Sequence, residues 1–125
     1  MTLPVRGFTV AAVQVRSTSD RKRNLDVAEG FVAEAAGRGA DLIAFPENVA
    51  EVRAEGSAGS PAEPIDGPTA QRFAAMAARH HAWILAGTIA LRIPRSRKRH
   101  NASILFTADG SVAADLLDVA KGTDS

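Results

Sequence analysis

The first half of the chain alternates short apolar runs with a segment of helical periodicity. Residues 8–15 form a nearly continuous, β-branched apolar run, which predicts a buried strand. Helix-capping oxygens follow at residues 17–20. Apolar side chains then recur at helical spacing: Leu25, Ala28, Val32 and Ala35. We therefore predict a helix that ends at Gly37 and Gly39.

A second strand and a second helix are predicted on either side of a long loop. Residues 40–45 form a short apolar strand, and Pro46 stops it because proline has no backbone donor. Residues 48–67 contain no periodic pattern, and loops of that length are usually functional or mobile. Asp66 and Pro68 open the second helix. Its apolar face consists of Ala70, Phe73, Ala74 and Ala77.

The last third of the chain predicts three strands. Residues 83–91 form one strand, and residues 101–107 and 111–114 flank Asp109-Gly110, a signal for a hairpin with a two-residue turn. The predicted order is therefore β-α-β-α-β-β with a C-terminal hairpin. This order is typical of an α/β fold with crossover helices.

Composition narrows the class of protein. The chain has 125 residues, of which 46% are hydrophobic and 23% charged, so it fits one globular domain or part of a larger one. The net charge of +1 gives no reason to expect nucleic acid or a membrane as partner, and the basic run at residues 95–100 is read as a solvated hairpin tip. The apolar run near the N-terminus is too short to span a bilayer, so we expect a cytoplasmic protein.

Candidate chemistry is limited by the absence of cysteine, which excludes disulfides, thiolate zinc sites and a cysteine nucleophile within these residues. His80-His81 lies at a helix C-terminus, where cationic side chains are favourable, and no metal-binding spacing surrounds the pair. Glu47 directly follows the second strand and Pro46. Functional groups of open α/β sheets gather at the carboxyl ends of strands, so Glu47 is either such a group or a solvated carboxylate.

Four stretches, taken in order, resemble the N-terminal half of the nitrilase superfamily, the carbon–nitrogen hydrolases. They are AAVQV, RNLDVAEGFVAEAAGRGADLIAFPEN, WILAGTIAL and HNASILFTADGSVA, which together span residues 8 to about 114. The resemblance implies a partial αββα sandwich. It also implies a single incomplete hydrolase domain over residues 1–125, with residues 115–125 as a divergent tail.

The resemblance further implies hydrolysis of small amides or nitriles by a Glu-Lys-Cys triad without metal or organic cofactor. Glu47, in Phe-Pro-Glu, matches the glutamate of the family, which acts as general base toward the thiol and later toward water. The lysine of the family stabilises the oxyanion of the tetrahedral intermediate.

The other two members of the triad have no match. Counted from Asp109-Gly110, the lysine is expected near Leu117 or Asp118, whereas Lys121 lies further on in a polar tail. Alternatively, the stretch LLDV stands for a later segment of the family, with the lysine stretch deleted before it. Both alignments remain open, and the cysteine is absent under either.

Two functional readings follow. The first is a truncated hydrolase that is inactive alone, because removing one member of a triad abolishes most of the catalysis. The alternative is a non-catalytic subunit that docks on a complete hydrolase. Two helices and four or five strands leave one sheet face and one edge uncovered, so we expect a homo-oligomer or docking on a hydrolase subunit.

Overall fold

The computed structural model describes residues 7–54, 56–57, 59–92, 94–95 and 99–117. Its elements run in the order that the sequence predicts: β1 (Val10–Ala12), α1 (Arg21–Gly37), β2 (Leu42–Ala44), α2 (Pro68–His80), β3 (Trp83–Arg92), β4 (Arg99–Phe106) and β5 (Val112–Leu117). The α/β class is confirmed, and so is the predicted β-α-β-α-β-β succession, to which the second strand of the C-terminal hairpin adds a fifth strand. Neither helix of this part of the chain is long and apolar enough to cross a membrane.

The strands form one sheet whose spatial order follows the chain, β1-β2-β3-β4-β5. β1, β2 and β3 are parallel, because a crossover helix joins each to the next, and β3, β4 and β5 are antiparallel. α1 packs on β2, α2 packs on β3 and β4, and the two helices contact each other. Both helices therefore cover the same face of the sheet, and the described residues form two layers.

Both helix starts have a local cause. Asp20 caps α1, and its carboxylate accepts the Arg23 N–H at 3.0 Å, as the polar run before the helix predicts. α2 starts at Pro68 after Gly67, which has no side chain to cap it. The cap comes instead from the loop, because the Glu63 carboxylate accepts the Thr69 N–H at 2.7 Å.

The core lies between the sheet and the helices. Side chains from four neighbouring strands lie side by side in one row and point into this core: Ala11, Ile43, Ile84 and Phe106. Phe73 of α2 contacts two aromatic rings there, edge-on to Phe45 with centroids 6.0 Å apart and stacked on Phe106 at 6.1 Å. Phe45 is thus held by α2 at the point where the chain leaves β2.

The first strand is shorter and less buried than its apolar pattern predicts. The prediction of a buried strand over residues 8–15 is wrong, because β1 has only three residues and the side chain of Val10 is 52% exposed. Within the described part of the chain, β1 has a neighbour on one side only, and that neighbour, β2, is itself three residues long. An apolar run therefore does not distinguish an edge strand with one covered face from a strand that is buried on both faces.

The C-terminal hairpin is present, but its turn differs from the prediction. The Gly110 N–H bonds to the Thr107 carbonyl at 2.9 Å, and the Thr107 N–H bonds to the Ser111 carbonyl at 2.8 Å. With Gly110 at φ 89°, this is a three-residue loop rather than a two-residue turn. The reason is local: the Asp109 carboxylate accepts the Thr107 hydroxyl and the Ser111 N–H, which stabilises the longer loop.

The sheet face opposite the helices is apolar and open among the described residues. One row crosses all five strands in register: Ala12, Ala44, Leu85, Leu105 and Ala114. A second row crosses three strands: Val10, Leu42 and Trp83. Neither row contains a charge, and the Trp83 side chain is 39% exposed. This observation supports the expectation that a chain with two helices leaves one face uncovered.

We expect Trp83→Lys to reduce self-association, because it places a charge on this open face, in a row that otherwise contains only apolar side chains. Size-exclusion chromatography of the 125-residue chain should show species larger than a monomer, and the variant should shift toward the monomer. Val27→Lys is the matched control, since Val27 is equally exposed but lies on α1. A monomeric wild-type chain with a cooperative melt would contradict this expectation.

Candidate functional site

Glu47 lies where the chain leaves the sheet. Phe45 is buried, whereas Pro46, Glu47 and Asn48 are exposed, so the carboxylate faces solvent two residues after the core. Asn48 has φ 55°, in the left-handed region, where asparagine is among the better tolerated residues. The chain therefore turns sharply immediately after Glu47.

The backbone on both sides of Glu47 is bonded to β3. The Phe45 N–H donates to the Leu85 carbonyl at 2.8 Å, and the Asn48 N–H donates to the hydroxyl of Thr88 at 2.9 Å. Between these bonds, Gly87 lies so close that a Cβ there would be 2.3 Å from the carbonyl oxygens of Phe45 and Pro46. Only glycine fits at this position.

The Glu47 carboxylate makes no hydrogen bond or ion pair with another described residue. It also has no lysine beside it in this part of the chain. Lys22, the one lysine among the described residues, is on α1 and pairs with Asp26 at 3.0 Å. Leu117, one of the two positions where the sequence predicts the family lysine, is the last residue of β5, while Asp118 and Lys121 lie outside the described residues.

The long loop after Glu47 is fastened by charged side chains. The Arg21 guanidinium on α1 binds two loop carboxylates, Glu51 at 3.1 Å and Glu63. Arg21 thereby joins the first part of the loop, at Glu51, to the last part, at Glu63. The second oxygen of Glu51 accepts the Ser60 N–H at 2.9 Å and binds the middle of the loop as well. Arg99 of β4 adds a bond to the Ser60 carbonyl.

Asn24 fastens the start of the same loop. This buried side chain donates to the carbonyls of Thr18 and Ala50, both at 2.8 Å, and its oxygen accepts the N–H and hydroxyl of Thr18 at 2.9 Å. Its hydrogen-bonding capacity is therefore fully used without water. In the sequence, the sign of this structural role is that Asn24, a polar residue, stands next to Leu25 on the buried side of α1.

The roles of Arg21, Glu51 and Glu63 are not evident from the sequence. Glu51 and Glu63 lie in a loop without periodicity, and their shared partner is more than 25 residues away, so no local spacing connects them. Burial raises the pKa of Glu51, but bonds from Ser60 and the charge of Arg21 outweigh it and hold the pKa below its ordinary value.

The cavities seen among the described residues, of about 30 to 360 Å³, are lined by residues other than Glu47. A cavity of about 30 Å³ lies next to Asn48 and Thr88, which is room for one water molecule. A larger cleft of about 360 Å³ lies between β1 and α1 and does not include Glu47. No three His, Asp or Glu side chains of the described part are grouped so that they could hold a metal ion.

Comparison with known proteins identifies the class. The family model for carbon-nitrogen hydrolases matches residues 9–121. A hydrolase of Schizosaccharomyces pombe is 31% identical over 111 residues, and a chloroplastic omega-amidase of Arabidopsis thaliana is 29% identical over 116. These matches cover 87% and 89% of this chain but only 34% and 31% of the relatives.

A solved structure agrees with the sequence matches. A branch 10 member of the nitrilase superfamily from Saccharomyces cerevisiae superposes with a TM-score of 0.76 at 25% identity, over 90% of this chain and 44% of the other. The fold is thus that of the nitrilase superfamily, as the four sequence stretches predicted. The chain belongs to the carbon-nitrogen hydrolase family and spans about a third of the length of these two curated relatives.

We predict that Asn24→Ala lowers the free energy of unfolding by about 2–3 kcal/mol, because it removes the side-chain partner of the buried Ala50 carbonyl and of the part-buried Thr18 N–H. Chemical denaturation followed by circular dichroism measures this change. Asn101→Ala is the matched control, since Asn101 is exposed on β4, and we expect it to be nearly neutral. Equal stability of the two variants would refute this role for Asn24.

We predict that the stability lost in Glu51→Gln depends on pH. The folded pKa of Glu51 lies below its ordinary value of 4.5, so its carboxylate contributes stability above that pH, and the contribution is lost as the pH falls through the folded pKa. Unfolding at pH 7 should show a clear difference from wild type that shrinks below about pH 4.

Glu34→Gln is the control for this titration, because Glu34 is exposed on α1 and, among the described residues, pairs only with Arg38 of the next turn. We expect little change from it at either pH. A difference between Glu51→Gln and wild type that stays constant from pH 7 to pH 3 would argue against the proposed contribution of the carboxylate.

Proposed function

We propose that this chain provides the general-base half of an amide-hydrolysing site, with Glu47 as the base. The single observation that carries the proposal is the placement of Glu47. Its carboxylate is exposed and unpaired among the described residues at the carboxyl end of a parallel strand, within the Phe-Pro-Glu sequence that matches the family. A structural carboxylate at that position would be expected to have a partner, as Glu51 and Glu63 do.

The chemistry requires a thiol that these 125 residues do not contain. In the proposed reaction, Glu47 accepts the thiol proton and the thiolate attacks the amide carbonyl. Glu47 gives this proton to the leaving nitrogen, and loss of ammonia leaves a thioester. The regenerated Glu47 carboxylate then accepts a proton from the water that attacks the thioester, which releases the carboxylic acid and the free thiol. A thiol of ordinary pKa, about 8.5, is mostly protonated at neutral pH, so an adjacent base has a clear function.

We further propose that the nucleophilic cysteine and the oxyanion-stabilising lysine come from polypeptide outside these residues. Lys22 is the one lysine among the described residues, and it is paired on the outer surface of α1. The exposure of Glu47 agrees with this, because the described residues then build one wall of a site rather than an enclosure. The 125-residue chain alone is then inactive toward amides and nitriles.

Small carboxamides are the proposed substrates. The support is the likeness to an omega-amidase and to a further hydrolase, each at about 30% identity over most of this chain. Nitriles are the second substrate class that the family resemblance suggests, and the test below includes one.

The test joins this chain to the part of the S. pombe hydrolase that lies beyond its matched region. We predict no ammonia release by the 125-residue chain and measurable release from a panel of small amides by the fusion. Glu47→Gln in the fusion should lower kcat by about a thousandfold or more, because it removes one member of a catalytic unit.

Glu34→Gln in the same fusion is the control and should leave turnover unchanged. Circular dichroism and thermal melting establish that each variant is folded. A folded fusion without turnover would contradict the proposed function, and so would amide hydrolysis by the 125-residue chain alone.

A further inference from the structure

We propose that Thr88, in a bulge of β3, is a positioning residue for Glu47, because its side-chain oxygen accepts the backbone N–H of Asn48 immediately after the carboxylate. This inference rests on the proposed function, in which Glu47 is the base. Thr88 does not touch the reacting atoms; it acts through the backbone that carries Glu47.

The segment that carries Glu47 is bonded to β3 on both sides of the carboxylate. The bond from the Phe45 N–H to the Leu85 carbonyl continues the ladder between β2 and β3 by one residue. Pro46 has no N–H with which to extend that ladder further. The next bond to β3 is the one from the Asn48 N–H to Thr88, at 2.9 Å. Glu47 therefore lies between two fixed amides only three residues apart.

The bulge in β3 determines the direction of the Thr88 side chain. Ala86 and Ile89 of β3 pair with Ile104 and Ala102 of β4, so β3 has one residue more than β4 at this point. Ala86 and Ile89 are both buried against the helices. Regular alternation from Ala86 would place Thr88 on that same face, whereas the bulge gives this direction to Ile89 and turns Thr88 toward the exit of β2.

The bulge is itself held in place by contacts of Gly87 on both sides. The Ser103 hydroxyl donates to the Gly87 carbonyl at 2.7 Å, across from the extra residue. On its other side, Gly87 contacts the carbonyls of Phe45 and Pro46. The bulge is thus bonded to β4 and in contact with the Glu47 segment, and the Thr88 hydroxyl projects from a fixed backbone.

The backbone of Asn48 adopts the left-handed conformation directly after Glu47. Its φ of 55° is unfavourable for most residues, and this conformation is what turns the chain away directly after Glu47. The bond to Thr88 holds the amide of this residue. Without it, the segment gains freedom at the point where the orientation of the carboxylate is decided, and misplacement of about 1 Å is enough to lower turnover substantially.

The experiment compares Thr88→Val, which keeps the shape and removes the acceptor, with Thr88→Ser, which retains it. In the 125-residue chain, we expect Thr88→Val to raise the hydrogen-exchange rate of the Asn48 amide by about tenfold or more, measured by NMR against the Phe45 amide. Thr88→Ser should stay close to wild type. Thr9→Val is the matched control, since Thr9 is exposed at the opposite end of the sheet.

The fusion described above provides the catalytic measurement. We expect Thr88→Val to lower kcat by about tenfold to a hundredfold with KM nearly unchanged, and Thr88→Ser to restore most of kcat at an equal melting temperature. Thr9→Val should match wild type.

The outcomes separate the two proposals. A folded wild-type fusion without turnover refutes the proposed function, while the exchange rate of Asn48 still decides whether Thr88 fixes the backbone. An active fusion in which Thr88→Val retains the kcat of wild type overturns the positioning role. So does unchanged exchange of the Asn48 amide in Thr88→Val.

Discussion

The close contact between Gly87 and the backbone of Phe45 and Pro46 is the constraint on which the rest of the structure depends. A single methyl group at position 87 would lie 2.3 Å from two carbonyl oxygens, far inside van der Waals contact. This approach lets β2 end beside a bulge of β3 rather than continue as a regular strand. The exposed position of Glu47, the turn at Asn48 and the start of the long loop all follow from that ending.

The loop after Glu47 shows how a long segment without helices or strands is held on a small domain. Arg21 supplies the positive charge for two partly buried carboxylates, and Asn24 satisfies the Ala50 carbonyl that the loop turns inward. Both residues belong to the first turns of α1. The geometry near Glu47 is thus supported from the sheet by β3 and from the helical layer by α1, and neither support comes from the loop itself.

Local chemistry made much of the fold predictable. Asp20 with the apolar period behind it gave α1, Pro68 gave the start of α2, and Asp109-Gly110 gave the hairpin. The extent of β1 was not predictable, because an apolar run does not reveal whether one or two faces are covered. The length of the hairpin turn depended on bonds made by the Asp109 side chain, and the dipeptide alone does not specify them.

The site was predictable only at its centre. The position of Glu47 after an apolar strand, and its family match, identified it from the sequence. Thr88 and Gly87 were not found, because the stretch WILAGTIAL reads as one continuous apolar strand, although an isolated glycine in such a strand is a known sign of a bulge. Arg21, Glu51 and Glu63 meet only through the tertiary fold, so no spacing along the chain indicates them.

The most direct test of the account is the free energy of unfolding of Gly87→Ala compared with that of Gly30→Ala. Gly30 is exposed within α1 with open space around it, so alanine there should raise stability by about 0.5–1 kcal/mol. Alanine at position 87 should instead lower stability by about 2 kcal/mol or more, because the backbone of Phe45 and Pro46 must move away. A Gly87→Ala variant as stable as wild type would contradict the claim that this contact fixes where Glu47 leaves the sheet.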